Sequence, residues 1–193
     1  SYEWPTDKAV LEKLDKWQDQ KFGVLFHWGL YSQAGIVESW ELCSEDWLVR
    51  WIPNYYEFKK WYWGLIDEFN PTDFDPDQWA RIMDEAGMKY MIFTTKHHDG
   101  FCMFDSATTD YDSVEATPSG RDYVKEMSDA CAEAGIRFGL YFSLIDWHYP
   151  YAYPISSHNA DFITPQHHEL NKAQVRELLT SYGPVSELWF DMG

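Results

Sequence analysis

The chain has 193 residues, 45% of them hydrophobic, enough for a globular domain with a substantial core and too apolar for a disordered segment. A formal charge of −17 argues against a nucleic-acid backbone or an anionic lipid surface as the main partner. No run of about 20 apolar residues is present to span a bilayer, and the first residues lack the basic-then-apolar order of a signal peptide.

Residues 6–20 place Val10, Leu11, Leu14 and Trp17 at helical spacing behind a cap at Thr6 or Asp7. The run "FGVLFHWG" reads as a fully buried strand over 22–28. Three units then repeat one pattern. A helix opens at Asp75-Pro76 and stops at Gly87, with a strand over 89–95. A second helix runs over 120–135 to Gly135, with a strand over 136–143. A third opens at Thr164-Pro165 and stops at Gly183, with a strand over 186–191. Successive stop glycines fall 48 residues apart. Helix, glycine, buried strand and long loop in series predict an α/β fold with a parallel sheet, the first four units of a (β/α)8-type TIM barrel. A full barrel with units of this length needs roughly 350–400 residues, so residues 1–193 are expected to be the N-terminal half, cut after the fourth strand. The unpaired strand edges of such a half would need covering.

The unusual residues sit in loops after strands, where a barrel builds its active site. Asp191 ends the fourth strand, and a carboxylate there is costly unless paired or used. His97 and His98 end the second strand. Adjacent strand residues point to opposite faces, so a bend is needed to bring both to one ligand. His27 ends the first strand; alone it reads as a core histidine. Tyr141 ends the third. Glu38, Trp40 and Glu41, and likewise Asp146, Trp147 and His148, fit either loop packing or a polar pocket with an aromatic floor. His167 and His168 read as surface residues. The three cysteines, Cys43, Cys102 and Cys131, form neither a disulfide framework nor a zinc site. Metal-ligand spacing, phosphate loops and a Gly-x-Ser-x-Gly elbow are all missing from the sequence, so no metal or cofactor is implied. In a barrel, His27, His97, His98, Tyr141 and Asp191 would converge on one pocket. Imidazoles, a phenol and a carboxylate walled by tryptophan suit a neutral polyhydroxylated ligand, since hydroxyls need donors and acceptors and a sugar's C–H face needs an aromatic plate.

The segments "KFGVLFHWGLYS", "FNPTDFDPDQWARIMDEAGMKYMIFTTKHHDGF", "GIRFGLYFSLIDWHYP" and "ELWFDMG" together resemble the α-L-fucosidases of glycoside hydrolase family 29. The resemblance implies a (β/α)8-like catalytic domain followed by a β-sandwich. It implies Asp191 as nucleophile, His27, His97 and His98 on fucose hydroxyls, and Tyr141 in the pocket. Glu38 and Trp40 lie near the family's Glu-Trp pair, but Ser39 separates them, leaving open which of Glu38, Trp40 and Glu41 meets the sugar. Asp99 stands where the family commonly has glutamate. The implied reaction is retaining, exo-acting hydrolysis of terminal α-L-fucose from a glycan, with the acid/base beyond Gly193. The isolated chain is then expected to be a poor catalyst. A periplasmic, secreted or lysosomal location also follows from the resemblance. The alternatives are an inactive relative that binds fucose without cleaving it, and an unrelated βα scaffold with structural histidines.

Overall fold

The computed structural model describes residues 2–45, 48–156 and 161–192. Four strands, β1 (Gly23–Phe26), β2 (Tyr90–Lys96), β3 (Arg137–Ser143) and β4 (Leu188–Asp191), form one sheet in chain order, every neighbouring pair parallel. Among the described residues, six α-helices accompany them: α1 (Lys8–Gln18), α2 (Leu30–Ala34), α3 (Tyr55–Trp63), α4 (Pro76–Glu85), α5 (Tyr123–Ala134) and α6 (Pro165–Ser181). Among the described residues, no helix is long and apolar enough to cross a membrane.

The local punctuation explains the three repeated units. Asp75, Asp122 and Thr164 each turn a side-chain oxygen onto a first-turn backbone N–H of α4, α5 and α6. Asp7, rather than Thr6, does the same for α1. Gly87, Gly135 and Gly183 all adopt the left-handed backbone that ends a helix. The strands that follow enter the sheet in simple register, Tyr90 opposite Arg137 and Leu140 opposite Leu188.

β2 and β3 are central and buried along almost their whole length. β1 and β4 are the sheet edges, and there the expectation of full burial fails. Leu25 is exposed in β1, and Trp189 and Phe190 in β4 are 52% and 49% exposed. Each edge strand has a strand neighbour on one side only, so part of its apolar surface has nothing to pack against among the described residues.

The connection from β1 to α4 carries α2, α3 and two 3-10 turns, none of which the hydrophobic pattern predicts. It is held by an aromatic core. Phe58, Tyr62, Phe69, Phe93, Phe101 and Phe104 are essentially inaccessible. Trp28 packs its ring centroid 4.7 Å from Phe74 and 5.0 Å from Tyr123, so this tryptophan of the "FHWG" segment belongs to the core. Many of the chain's aromatic side chains serve in this core.

β2 departs from regular pairing at its end. Its register with β3 shifts between Thr94 and Lys96, and the chain turns over His97–Gly100, closed by a bond from Gly100 N to the His97 carbonyl. Gly100 has φ +76°, and a Cβ there would fall 2.1 Å from Asp146 Oδ1. Gly100→Ala is therefore expected to cost about 2–4 kcal/mol, from left-handed strain plus displacement of a buried carboxylate. A urea midpoint within error of the parent protein would show that the turn tolerates the methyl.

Candidate active site

The bend after β2 brings both histidines to one place. The rings of His97 and His98 lie 4.0 Å apart, and His27, from the end of β1, sits 5.3 Å from His97. Tyr141 of β3 packs 4.6 Å from His27 and stacks at 5.7 Å on His97. Asp191, at the end of β4, pairs in register with Ser143. The Tyr141 hydroxyl donates to Asp191 Oδ2 at 2.5 Å, and His98 Nε2 lies 3.9 Å from the same oxygen. The Met192 N–H caps Asp191 Oδ1 at 2.8 Å, through a backbone with φ +61° at Met192. Four parallel strand ends thus deliver one carboxylate, three imidazoles and a phenol to a common surface.

Each imidazole is oriented from behind. Ser143 Oγ donates to the Ile145 carbonyl and lies 2.6 Å from His98 Nδ1. With its own hydrogen committed, that hydroxyl accepts from His98 Nδ1–H, which leaves the Nε2 lone pair facing Asp191. Ser39 Oγ holds His97 Nδ1 at 2.5 Å. Burial, reinforced by His97, His27 and Lys96, drives the His98 pKa down to about 2, and burial also lowers that of His97. Burial thus favours the neutral form of both rings, suited to exchanging hydrogen bonds with hydroxyls. The Tyr141 hydroxyl is pushed well above its usual pKa by burial and by the Asp191 carboxylate it bonds, so it remains a donor.

Glu38 opens the Glu-Ser-Trp segment. Its backbone has φ +53°, an uncommon conformation for a non-glycine residue that costs on the order of 1–2 kcal/mol. This kink turns Glu38, Ser39 and Trp40 all toward the histidines. Trp40 Nε1 donates to Glu38 Oε2 at 2.7 Å, and the Trp40 ring packs 4.5 Å from His98. Glu38 Oε2 lies 3.1 Å from His97 Nε2 and Oε1 lies 3.7 Å from His27 Nε2. The His97 imidazole holds the Glu38 carboxyl below the usual range, outweighing the opposing effect of burial. Glu41, on the 3-10 turn that Trp40 opens, is buried, and desolvation pushes its carboxyl up.

Trp147 joins this group. Its ring lies 6.3 Å from Trp40 and 5.3 Å from His98, extending the aromatic wall. Asp146 instead points inward to the buried Lys96, 3.7 Å away, and His148 stacks on Tyr111 at 3.8 Å. The sequence reading missed Ser39, which precedes the 3-10 turn at Trp40, and Ser143, whose only local signal is its place at the end of β3. It also misplaced His167, which is 1% exposed. His167 lies on the α6 face that continues through Leu170, Asn171, Gln174 and Leu178, all buried, whereas His168 is on the outer face. A concavity of about 790 Å³ lies elsewhere, lined by Lys16, Trp17, Arg137 and Tyr182 at the opposite strand ends, and holds none of these groups. Converging polar side chains, not cavity size, mark the chemical site.

Asp99 lies behind the histidines, outside the pocket. It is buried, accepts from Tyr62 Oη at 2.6 Å and from Phe101 N at 3.2 Å, and burial nonetheless raises its pKa to about 7. The native state keeps this proton up to about pH 7, while the unfolded chain releases it near 3.8. Below that value both states are protonated and the group is neutral to stability. Between the two values the native state binds more protons, so stability falls with rising pH, by up to about 4 kcal/mol. Asp99→Asn is expected to flatten this fall, raising Tm at pH 8 and leaving it nearly unchanged near pH 4. Parallel Tm–pH curves for the two proteins would refute the assignment.

The family model described as Alpha-L-fucosidase matches residues 1–193. The tissue alpha-L-fucosidase of Homo sapiens is 32% identical over 200 residues, covering 98% of this chain and 41% of that protein. A putative alpha-L-fucosidase of Caenorhabditis elegans is 31% identical over 187 residues, covering 92% of this chain and 38% of that protein. Among solved structures, alpha-L-fucosidase isoenzyme 1 from Paenibacillus thiaminolyticus superposes with a TM-score of 0.79 at 37% identity, covering 95% of this chain and 44% of that one. A GH29 alpha-L-fucosidase from Bacteroides thetaiotaomicron gives 0.74 at 30% identity, covering 99% and 42%. The chain therefore spans about two-fifths of the length of these relatives. With the parallel βα architecture and the convergent strand ends described above, these matches establish that the chain belongs to the α-L-fucosidase family of glycoside hydrolases.

Proposed function

We propose that this chain is part of an exo-acting, retaining α-L-fucosidase that removes terminal α-L-fucose from glycans, with Asp191 as nucleophile. The observation that carries the reading is the Asp191 carboxylate, fixed by the Tyr141 hydroxyl and the Met192 amide at the mouth of an imidazole cluster. Fucose would lie with hydroxyls on His27, His97, His98 and Glu38 and its C–H face toward Trp40. Two neutral imidazoles and one ionised carboxylate offer both acceptors and donors to vicinal hydroxyls. Asp191 would then attack the anomeric carbon through an oxocarbenium-like transition state, expelling the aglycone oxygen and forming a fucosyl ester. Hydrolysis of that ester returns fucose with its starting configuration. A second carboxyl, about 5–5.5 Å away, must protonate the leaving oxygen and then activate water. We place it outside residues 1–193, in a further set of βα units that closes the barrel, with a β-sandwich domain beyond. The exposed apolar edges at Leu25, Trp189 and Phe190 and the greater length of the relatives support this extension. A related Bacteroides thetaiotaomicron enzyme, 30% identical, has been solved as a trapped covalent intermediate with 2-fluoro-fucosyl fluoride, which favours a retaining mechanism here.

The test is release of nitrophenol from an aryl α-L-fucoside by the full-length protein, with the product anomer followed by NMR. First-formed α-L-fucose supports the reading. Absence of turnover with intact L-fucose binding would instead mark a sugar-binding relative. The 193-residue chain alone is expected to be slower by at least about 10²-fold, the typical contribution of general acid–base help.

A further inference from the structure

We propose that His27, Glu38 and His97 also form a binding site for a divalent transition metal of the zinc type, and that metal and sugar exclude one another there. The exclusion, though not the metal site itself, rests on the fucosidase reading.

The donor set comes first. Two imidazoles and a carboxylate bring one ligand atom each to within 4.8 Å of one another. The carboxylate reaches the two rings through its two oxygens, Oε2 lying 3.1 Å from His97 Nε2 and Oε1 3.7 Å from His27 Nε2. Ligands bound to tetrahedral zinc at about 2.0–2.1 Å stand about 3.3 Å from each other, a spacing within reach of the three donors rather than already met by them. Two histidines, one glutamate and an open fourth position form a known zinc-binding set. Small side-chain movements would bring all three atoms onto one ion.

The surroundings favour the same conclusion. Each ligand residue has a further polar partner, as metal ligands usually do. Ser39 holds His97 Nδ1, and Trp40 Nε1 holds Glu38. Thr94 Oγ1 donates to the Phe26 carbonyl at 2.6 Å and lies 3.5 Å from His27 Nδ1. With the Thr94 hydrogen used, His27 Nδ1 carries the proton and its Nε2 lone pair faces the Glu38 carboxylate. His97 is 2% exposed, and its Nε2 has no hydrogen-bond partner despite the nearby carboxylate. A buried ring nitrogen left without a hydrogen bond beside a carboxylate is a position that a cation or a hydroxyl can satisfy. The left-handed backbone at Glu38 sustains this arrangement at the expense of local strain. Sugar hydroxyls and a metal ion satisfy the same three atoms, so each should displace the other. The ion takes no part in the proposed hydrolysis.

The experiment uses the full-length protein, freed of metal by a chelator that is then removed. Cobalt(II) is titrated in at neutral pH with the visible d–d band followed, and zinc(II) binding is measured by calorimetry. One ion per chain, with at least about tenfold weaker binding in Glu38→Gln, is the expected result. Saturating L-fucose should bleach the cobalt band. Glu38 lies on a partly exposed loop and its glutamine is isosteric, so the variant should fold. No cobalt band and no zinc heat overturns the metal site, as does an ion whose affinity is the same in Glu38→Gln and His97→Gln. Glu38-dependent metal binding that L-fucose does not disturb upholds the metal site and overturns the exclusion. L-fucose binding without any metal binding overturns the metal site and leaves the fucosidase reading intact.

Discussion

Asp191→Gly in the full-length protein is expected to lower kcat by roughly 10³-fold or more, while L-fucose affinity changes much less. The carboxylate sits at the end of β4, and its two oxygens are held by different donors, Tyr141 Oη and Met192 N. A group placed to attack carbon contributes mainly to the transition state, so its loss appears in kcat rather than in ground-state binding. Glycine also leaves room at the anomeric carbon for a small anion. Added azide should therefore restore part of the rate, its nitrogen bonding to that carbon as the aglycone departs, and yield the inverted β-fucosyl azide. Unchanged turnover in Asp191→Gly would remove Asp191 from the chemistry. Azide rescue giving the α-azide would assign Asp191 to acid/base work instead.

The second large effect concerns stability. Asp146→Ala is expected to destabilise the fold by about 3–5 kcal/mol, the usual cost of leaving a buried charge without its partner. Lys96 is wholly inaccessible. Its Nζ donates to Gln174 Oε1 at 2.9 Å and Asn171 Oδ1 at 3.3 Å, lies 3.7 Å from Asp146 Oδ2, and sits over the Phe142 ring at 4.3 Å. Burial lowers the Lys96 pKa, and Asp146 is the largest influence opposing that. Asp146 also accepts from the His148 and Tyr149 backbone amides, so alanine frees two further donors. Because Lys96 directly precedes His97 and His98, this cluster fastens β2, the loop after β3 and α6 together beneath the imidazoles. Urea unfolding of the full-length variant measures the loss, provided the slope is unchanged. A loss below about 1 kcal/mol would mean that water reaches Lys96 and compensates it.

The contrast between what the sequence reveals and what it hides follows from the range of the interactions. Caps and stops are local, so Asp75, Thr164, Gly87 and Gly135 announce three βα units, and the fold class follows from their repetition. The strand ends are legible for the same reason, which is how Asp191, His27 and Tyr141 could be placed on one rim. The helix α3 is not legible. Its "YYEFKKWYW" is as aromatic as a strand, and only the burial of Phe58 and Tyr62, four residues apart, shows the helical face. Period-2 alternation predicts that His97 and His98 diverge, whereas the register shift at Thr94/Lys96 and the turn after it bring them together. Ser39 and Ser143 could not be found from local pattern, because each acts on a histidine 58 or 45 residues distant. Glu38 and Trp40 looked misaligned until the left-handed backbone at Glu38 put both beside the histidines.

The most direct measurement is to react the full-length protein with 2-fluoro-fucosyl fluoride and map the adduct by peptide mass spectrometry. The expected result is one fluorofucosyl group per chain, esterified to Asp191 and released slowly on dilution with recovery of activity. An adduct on any other residue, with Asp191 unmodified and turnover blocked, would contradict the placement of the nucleophile at the end of the fourth strand.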